Sequence, residues 1–142
     1  MGLEIAAPPG RVWRALCRPD EVVRWDASVA EAVVAPPGYP MAGQRALWRC
    51  RSGPFRLLHD RPLEVVPERR LRSALSLGPF RYDETYDLEP SAQGCRLTAR
   101  VGVRTALPLL GRVIDVLYAG PAARRAWQAS LAGLKRHCEA PD

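Results

Sequence analysis

TALPLLGRVIDVLYAGPAARRAWQASLAGLKRHC, residues Thr105 to Cys138, is the one stretch of the chain long and periodic enough to be a major helix. Val113, Val116, Leu117, Trp127, Leu131, Leu134 and Cys138 recur at steps of three and four, which stacks them on one helical face, and that face must be buried. Thr105 suits an N-cap, and Pro108 falls in the first turn, where a missing N–H has no partner to lose. Pro121 acts differently. It removes a hydrogen bond to the carbonyl of Leu117 and its ring collides with that carbonyl, so a bend is predicted near Gly120. Ala122, Ala126, Ala129 and Gly133 make a second stripe of small residues, either ordinary helix-forming alanine or a place for another backbone to come close.

Upstream of this helix the pattern changes to alternation. Gln44 to Arg51 sets Ala46, Trp48 and Cys50 against Arg45, Arg49 and Arg51, as a half-buried antiparallel strand requires. Arg70 to Leu77 sets Leu71, Ser73, Leu75 and Leu77 against Arg70 and Arg72, and after Gly78-Pro79 the next strand sets Tyr82, Glu84, Tyr86 and Leu88 against Arg81, Asp83 and Asp87. Beyond the turn at Pro90 to Gly94, Leu97, Ala99, Val101 and Val103 oppose Arg96, Arg100 and Arg104. Short turns between such strands predict an antiparallel meander whose outer face carries the arginines. Two further strands complete it, one from Ser28 to about Val34 before Gln44 and one from Phe55 to Val66, ahead of Arg70, with an irregularity at Pro62. The period does not decide which face of the second one turns inward. At the start, Leu3 to Ala6 reads as a short strand, followed by a helix starting near Pro9 and another from Pro19 or Asp20 to about Trp25, the second with proline at a permitted early position. Laid over these strands, the last helix would roof a curved sheet with a ligand space beneath it.

Composition narrows the function. A chain of 142 residues with 47% hydrophobic content suits a single domain over residues 1–142, with no internal repeat or boundary. Its apolar runs fall well short of the roughly 20 residues that span a bilayer, and no basic region followed by an apolar block opens it, so a cytoplasmic protein without stable membrane insertion is expected. Cys17, Cys50, Cys95 and Cys138 lie far apart, show no CxxC pairing and accompany only two histidines, so they read as buried thiols, with neither metal nor other cofactor implied. The net charge is +6, yet the arginines are spread through the chain without a groove-reading motif, which argues against a nucleic-acid partner.

The residues also look familiar. EIAAPPGRVWRALCRPDEVVRWDASV, from Glu4 to Val29, resembles the opening of the START/Bet v 1-like (SRPBCC) superfamily in its bacterial polyketide cyclase/dehydrase and lipid-transport branch, with Ile5, Pro8, Val12, Trp13, Leu16, Pro19 and Trp25 at the places of that pattern. PLEVVPERRL from Pro62 and YDLEPSAQGCRLT from Tyr86 resemble later strand-and-hairpin signatures of the same branch. The resemblance implies an α+β helix-grip fold. A curved antiparallel sheet of about seven strands would wrap around a long kinked C-terminal helix, with two short helices after the first strand. It further implies a deep apolar cavity between sheet and helix.

The alternation assigns side chains to that cavity: Trp48, Ser73, Leu75, Tyr82, Tyr86 and Ala99 from strands, and Leu117, Tyr118, Arg124 and Trp127 from the helix, with Trp25 closing one end. Tyr and Trp offer broad flat contact plus one polar handle, a lining suited to aromatic or polycyclic ligands. Glu84 is the pointed residue. A carboxylate on the inward face between Tyr82 and Tyr86 must be paired, hydrogen-bonded or protonated, and desolvation would move its pKa into the range of general acid and base work. Pairing with Arg61 or Arg124, or a position reaching water, is the structural alternative. His59 and Arg61 share a face, and if that face is inward His59 can shuttle a proton and Arg61 can hold an enolate; a surface location is equally open. No nucleophilic triad, phosphate-cradling loop or metal-ligand spacing is legible. The expected function is binding of a hydrophobic, aromatic or polyketide-like small molecule by a monomer or homodimer, with cyclase or dehydratase activity left open. The alternatives are a non-catalytic lipid or isoprenoid carrier and a protein-binding, co-chaperone-like module.

Overall fold

Strand β1 (Gly2–Ile5) is followed by two short helices, α1 (Pro9–Cys17) and α2 (Pro19–Trp25). Six strands come next, β2 (Val29–Val34), β3 (Ala46–Cys50), β4 (Leu57–Val66), β5 (Arg70–Leu77), β6 (Phe80–Ser91) and β7 (Gly94–Thr105), and then helix α3 (Gly120–Glu139). The computed structural model describes residues 1–105 and 120–141. The first part of the expected final helix, its bend near Gly120, and Leu117 and Tyr118 lie outside the described residues.

The seven strands form one antiparallel sheet in the order β1-β7-β6-β5-β4-β3-β2. This is the α+β helix-grip fold. Proline begins both short helices, where it lacks only an N–H that would go unbonded, and Arg18 ends α1 and opens α2 in extended conformation. The meander places cross-strand partners on a common face: Ser73 opposes Glu84, which opposes Val101, and Leu71 opposes Tyr86, which opposes Ala99. The register of β4 slips between Pro62 and Glu64, the irregularity expected at that proline.

On the outer face arginines meet carboxylates. Arg72 contacts Asp83 at 3.0 Å, Arg70 and Arg100 share Asp87 at 2.6 and 2.9 Å, and Arg49 reaches Glu31 at 2.6 Å. The basic surplus is therefore largely a solvated sheet face, worth little stability pair by pair.

The core lies where α3 meets α1, α2, β1 and β7, around Ile5, Val12, Leu97, Leu131 and Leu134. Within the stripe of small residues, Gly133 permits a close approach: a Cβ there would fall inside contact distance of the Trp25 carbonyl oxygen, whereas Ala126 and Ala129 are exposed. Buried Glu21 on α2 pins the three helices together, taking hydrogen bonds from Arg11 at 2.7 Å and Arg14 at 3.1 Å on α1 and meeting His137 of α3 at 2.9 Å. All four cysteines are buried free thiols, and burial pushes Cys17 up to about 12 and Cys138 up to about 11. Among the described residues no helix is long and apolar enough to cross a membrane.

Candidate ligand cavity

A cavity of about 320 Å³ separates the inner face of β3 to β7 from α2 and α3. Leu58, Leu71, Leu75, Leu77 and Val101 give it an apolar floor, and Leu16 and Val22 come from the two short helices. Aromatic side chains make most of the remaining wall: Trp48, Tyr82 and Tyr86 from strands, Tyr39 from the loop after β2, Trp25 from α2 and Trp127 from α3. Trp25 is fixed because its indole N–H donates to the Ala15 carbonyl at 2.8 Å, and Tyr39 packs edge-on against Trp48 with ring centroids 6.0 Å apart.

Glu84 stands on this wall. The row Ser73, Glu84, Val101 contains no other charge, and among the described residues no arginine or lysine reaches its carboxylate; Arg61 and Arg124 are both exposed. Burial is the main influence on it, the negative charges of Asp26 and Asp60 add to it, and the Tyr86 and Trp127 donors offset only part, so its pKa rises from 4.5 to about 8. The Tyr86 hydroxyl beside it is itself raised, first by burial and then by the Glu84 charge. The Trp127 indole nitrogen is buried and comes near this pair without completing a hydrogen bond.

Two further carboxylates line the cavity. Asp26, at the end of α2, accepts three hydrogen bonds on Oδ1: from the Ser28 backbone N–H at 3.0 Å, the Ser28 hydroxyl at 2.6 Å and the Ser130 hydroxyl of α3 at 2.7 Å. Asp60 is only 6% exposed; its Oδ2 accepts from the Tyr39 hydroxyl at 2.5 Å and the Trp48 indole at 3.0 Å, while its buried Oδ1 has no partner among the described residues. Burial raises the Asp60 pKa against the lowering effect of those two donors, and raises Tyr39 further with the help of the Asp60 charge.

This pairing settles the face of β4. Asp60 opposes Ala46 on one side and Leu75 on the other, both inward, so Asp60 faces the cavity while His59 and Arg61 are exposed on the outer face. The catalytic roles conditional on an inward His59 and Arg61 are corrected accordingly. Trp25, Trp48, Ser73, Leu75, Tyr82, Tyr86, Trp127 and Glu84 come together at the cavity. Ala99 is buried in the core beside it, and Arg124 is exposed and does not line it. Sequence reasoning missed Asp60, Asp26 and Tyr39. For Asp60 the available signal was strand pairing, since only an inward Asp60 keeps step with Trp48 and Leu75.

The sequence profile of the family described as polyketide cyclase/dehydrase and lipid transport matches residues 3–139. The chain belongs to this family. The family's fold is a ligand-binding one, and in this chain the cavity lies between the sheet and the helices. No curated protein matches the chain. Among solved structures it is similar to protein CV1439 from Chromobacterium violaceum, at 24% identity over 100% of this chain and 96% of that one, with a TM-score of 0.74. It is also similar to DynU16, from the dynemicin biosynthetic locus, at 20% identity over 98% of this chain and 46% of that one, with a TM-score of 0.66. The Aha1 dimer from Colwellia psychrerythraea matches at 14% identity over 98% of this chain and 93% of that one, with a TM-score of 0.70. At these identities the likeness is one of fold.

Proposed function

We propose that this polyketide cyclase/dehydrase family member binds an aromatic or polyketide-like molecule in the cavity and moves protons on it through Glu84. The observation that carries the reading is a carboxyl on the wall of an aromatic-lined cavity, paired by no described cation and pushed by burial up to about 8. A general base works best when its pKa lies near the operating pH, and Glu84 meets that condition. In an aldol cyclisation the Glu84 carboxylate takes a proton from a methylene between two carbonyls. The resulting enolate carbon forms a bond to a distant ketone, whose oxygen then receives the proton from Glu84; loss of water completes a dehydration. The Trp127 N–H is a spare donor beside the carboxylate and would stabilise the enolate oxygen. The cavity wall would hold the chain folded and keep water from the enolate.

The test is Glu84→Gln. Cyclisation of a supplied linear polyketone, followed by ultraviolet absorbance of the aromatic product, should fall by about 10²- to 10⁴-fold with affinity little changed. Unchanged turnover would remove Glu84 from the chemistry. Binding without turnover in the parent protein would leave a carrier.

A further inference from the structure

The cavity is acidic in a basic protein. Of 21 basic residues in the chain, none that is described lines it, while Asp26, Asp60 and Glu84 all do. Elsewhere five carboxylates, Glu4, Glu21, Glu31, Asp83 and Asp87, each hold an arginine. The cavity carboxylates instead lean on hydroxyl and indole donors, and they lie close enough for Asp26 and Asp60 to repel charge on Glu84. One acceptor, Asp60 Oδ1, is buried with no donor among the described residues, on a residue only 6% exposed. Buried acceptors of this kind are costly unless something supplies a donor. Around them stand the faces of three tryptophans and three tyrosines, surfaces that attract cations.

From this we infer that the ligand carries a protonated amine on its aromatic or polycyclic body, the ammonium group lying among Asp26, Asp60 and Glu84. The inference rests on the proposed use of the cavity as the ligand site and narrows what occupies it. A fatty acid, a phosphorylated lipid or any other anion would bring another acidic group beside three carboxyls that no described cation pairs. A neutral polyketone could take a proton from Glu84 but would leave the Asp60 oxygen without a donor. An ammonium group supplies donors and charge together.

The geometry gives the binding reaction a proton signature. The titratable groups that line the described cavity with Glu84 are Asp26 just after α2, Cys50 on β3, Asp60 on β4, Tyr39 in the loop after β2, and Tyr82 and Tyr86 on its own strand; its neighbours Ser73 on β5 and Val101 on β7 do not titrate. A cation placed among them favours the carboxylate form, so binding should expel a proton from Glu84, which is mostly neutral at about pH 7.5.

The experiment is calorimetric titration of the full chain at about pH 7.5 with three matched probes, naphthylmethylamine, naphthalenemethanol and naphthoic acid, in buffers of different ionisation enthalpy. The amine should bind at least about tenfold more tightly than the alcohol, with the acid weakest, and only the amine's heat should vary with the buffer as a proton is released. In Glu84→Gln and Asp60→Asn the ratio of amine to alcohol affinity should collapse towards one, and Glu84→Gln should abolish the proton release. If Asp60→Asn does not fold, Glu84→Gln and the buffer series carry the test. Alcohol or acid binding as tightly as the amine would overturn the inference and leave the cavity as a ligand site. An amine preference unchanged in the folded variants would overturn it too, and no binding by any of the three would overturn both readings.

Discussion

Glu84 sits where a carboxylate is least comfortable, and that discomfort is measurable without a ligand. Its folded-state pKa of about 8 lies above the usual 4.5, so the neutral carboxyl stabilises the fold fully below about pH 4.5 and that contribution is lost as pH rises through about 8. Each unit is worth about 1.4 kcal/mol, so the loss amounts to several kcal/mol, tempered by water entering the cavity. In urea melts, the parent protein should weaken between about pH 5 and pH 8.5, and Glu84→Gln should shrink that decline by about 2–4 kcal/mol. Asp60 is displaced in the same direction by burial, so its ionisation too weakens the fold as pH rises above the usual aspartate range. Parallel pH curves for parent and variant would mean that Glu84 is ionised and solvated in the folded protein.

At the scale of elements, the opposite sign appears at Glu21. Burial alone would raise its carboxyl, but the hydrogen bonds from His137 and Arg11 and the charges of Arg11 and Arg14 outweigh it and hold the pKa below 4.5. The stability from this junction is present above about pH 4.5 and is lost as pH falls through the depressed value. Glu21→Gln should therefore cost about 1–3 kcal/mol near neutrality, chiefly by leaving half-buried Arg11 without its counter-charge, and should flatten the acid limb of the stability curve. Thermal melts at neutral and acid pH read both effects. Elements differ in how far their sequence announces them. Arg70 to Leu77 alternates without interruption, and β5 has those bounds; the prolines place the starts of α1 and α2 to within a residue or so. Strand β4 is the exception because Leu57-Leu58-His59-Asp60 puts one apolar and one polar residue on each face, and the Pro62 bulge then shifts the count. Its orientation is decided by Ala46 and Leu75 across the sheet, information that no local window contains. The site was legible to the same extent: Glu84, Tyr82 and Tyr86 share a cleanly alternating strand, whereas Asp60 required knowing its neighbours.

Taken whole, the molecule separates charge by depth. Three of the fifteen acidic residues line the cavity, so the remainder of the chain is more basic than the formal +6 implies. An ammonium ligand would then meet a repelling exterior before an attracting interior, whereas a neutral ligand of the same shape would feel neither. Salt acts on these two regions unequally: it screens exposed charge within a Debye length of about 10 Å at 0.1 M, and it barely reaches a pair of groups inside the cavity. Raising ionic strength from about 10 to 200 mM should therefore speed association of naphthylmethylamine by about two- to threefold while its dissociation changes little, and naphthalenemethanol should show neither change. Stopped-flow tryptophan fluorescence can follow both, since Trp25, Trp48 and Trp127 all stand on the cavity wall. An amine whose association slows with salt would instead be drawn in by a negative mouth, and the separation of charge by depth would not govern how ligands arrive.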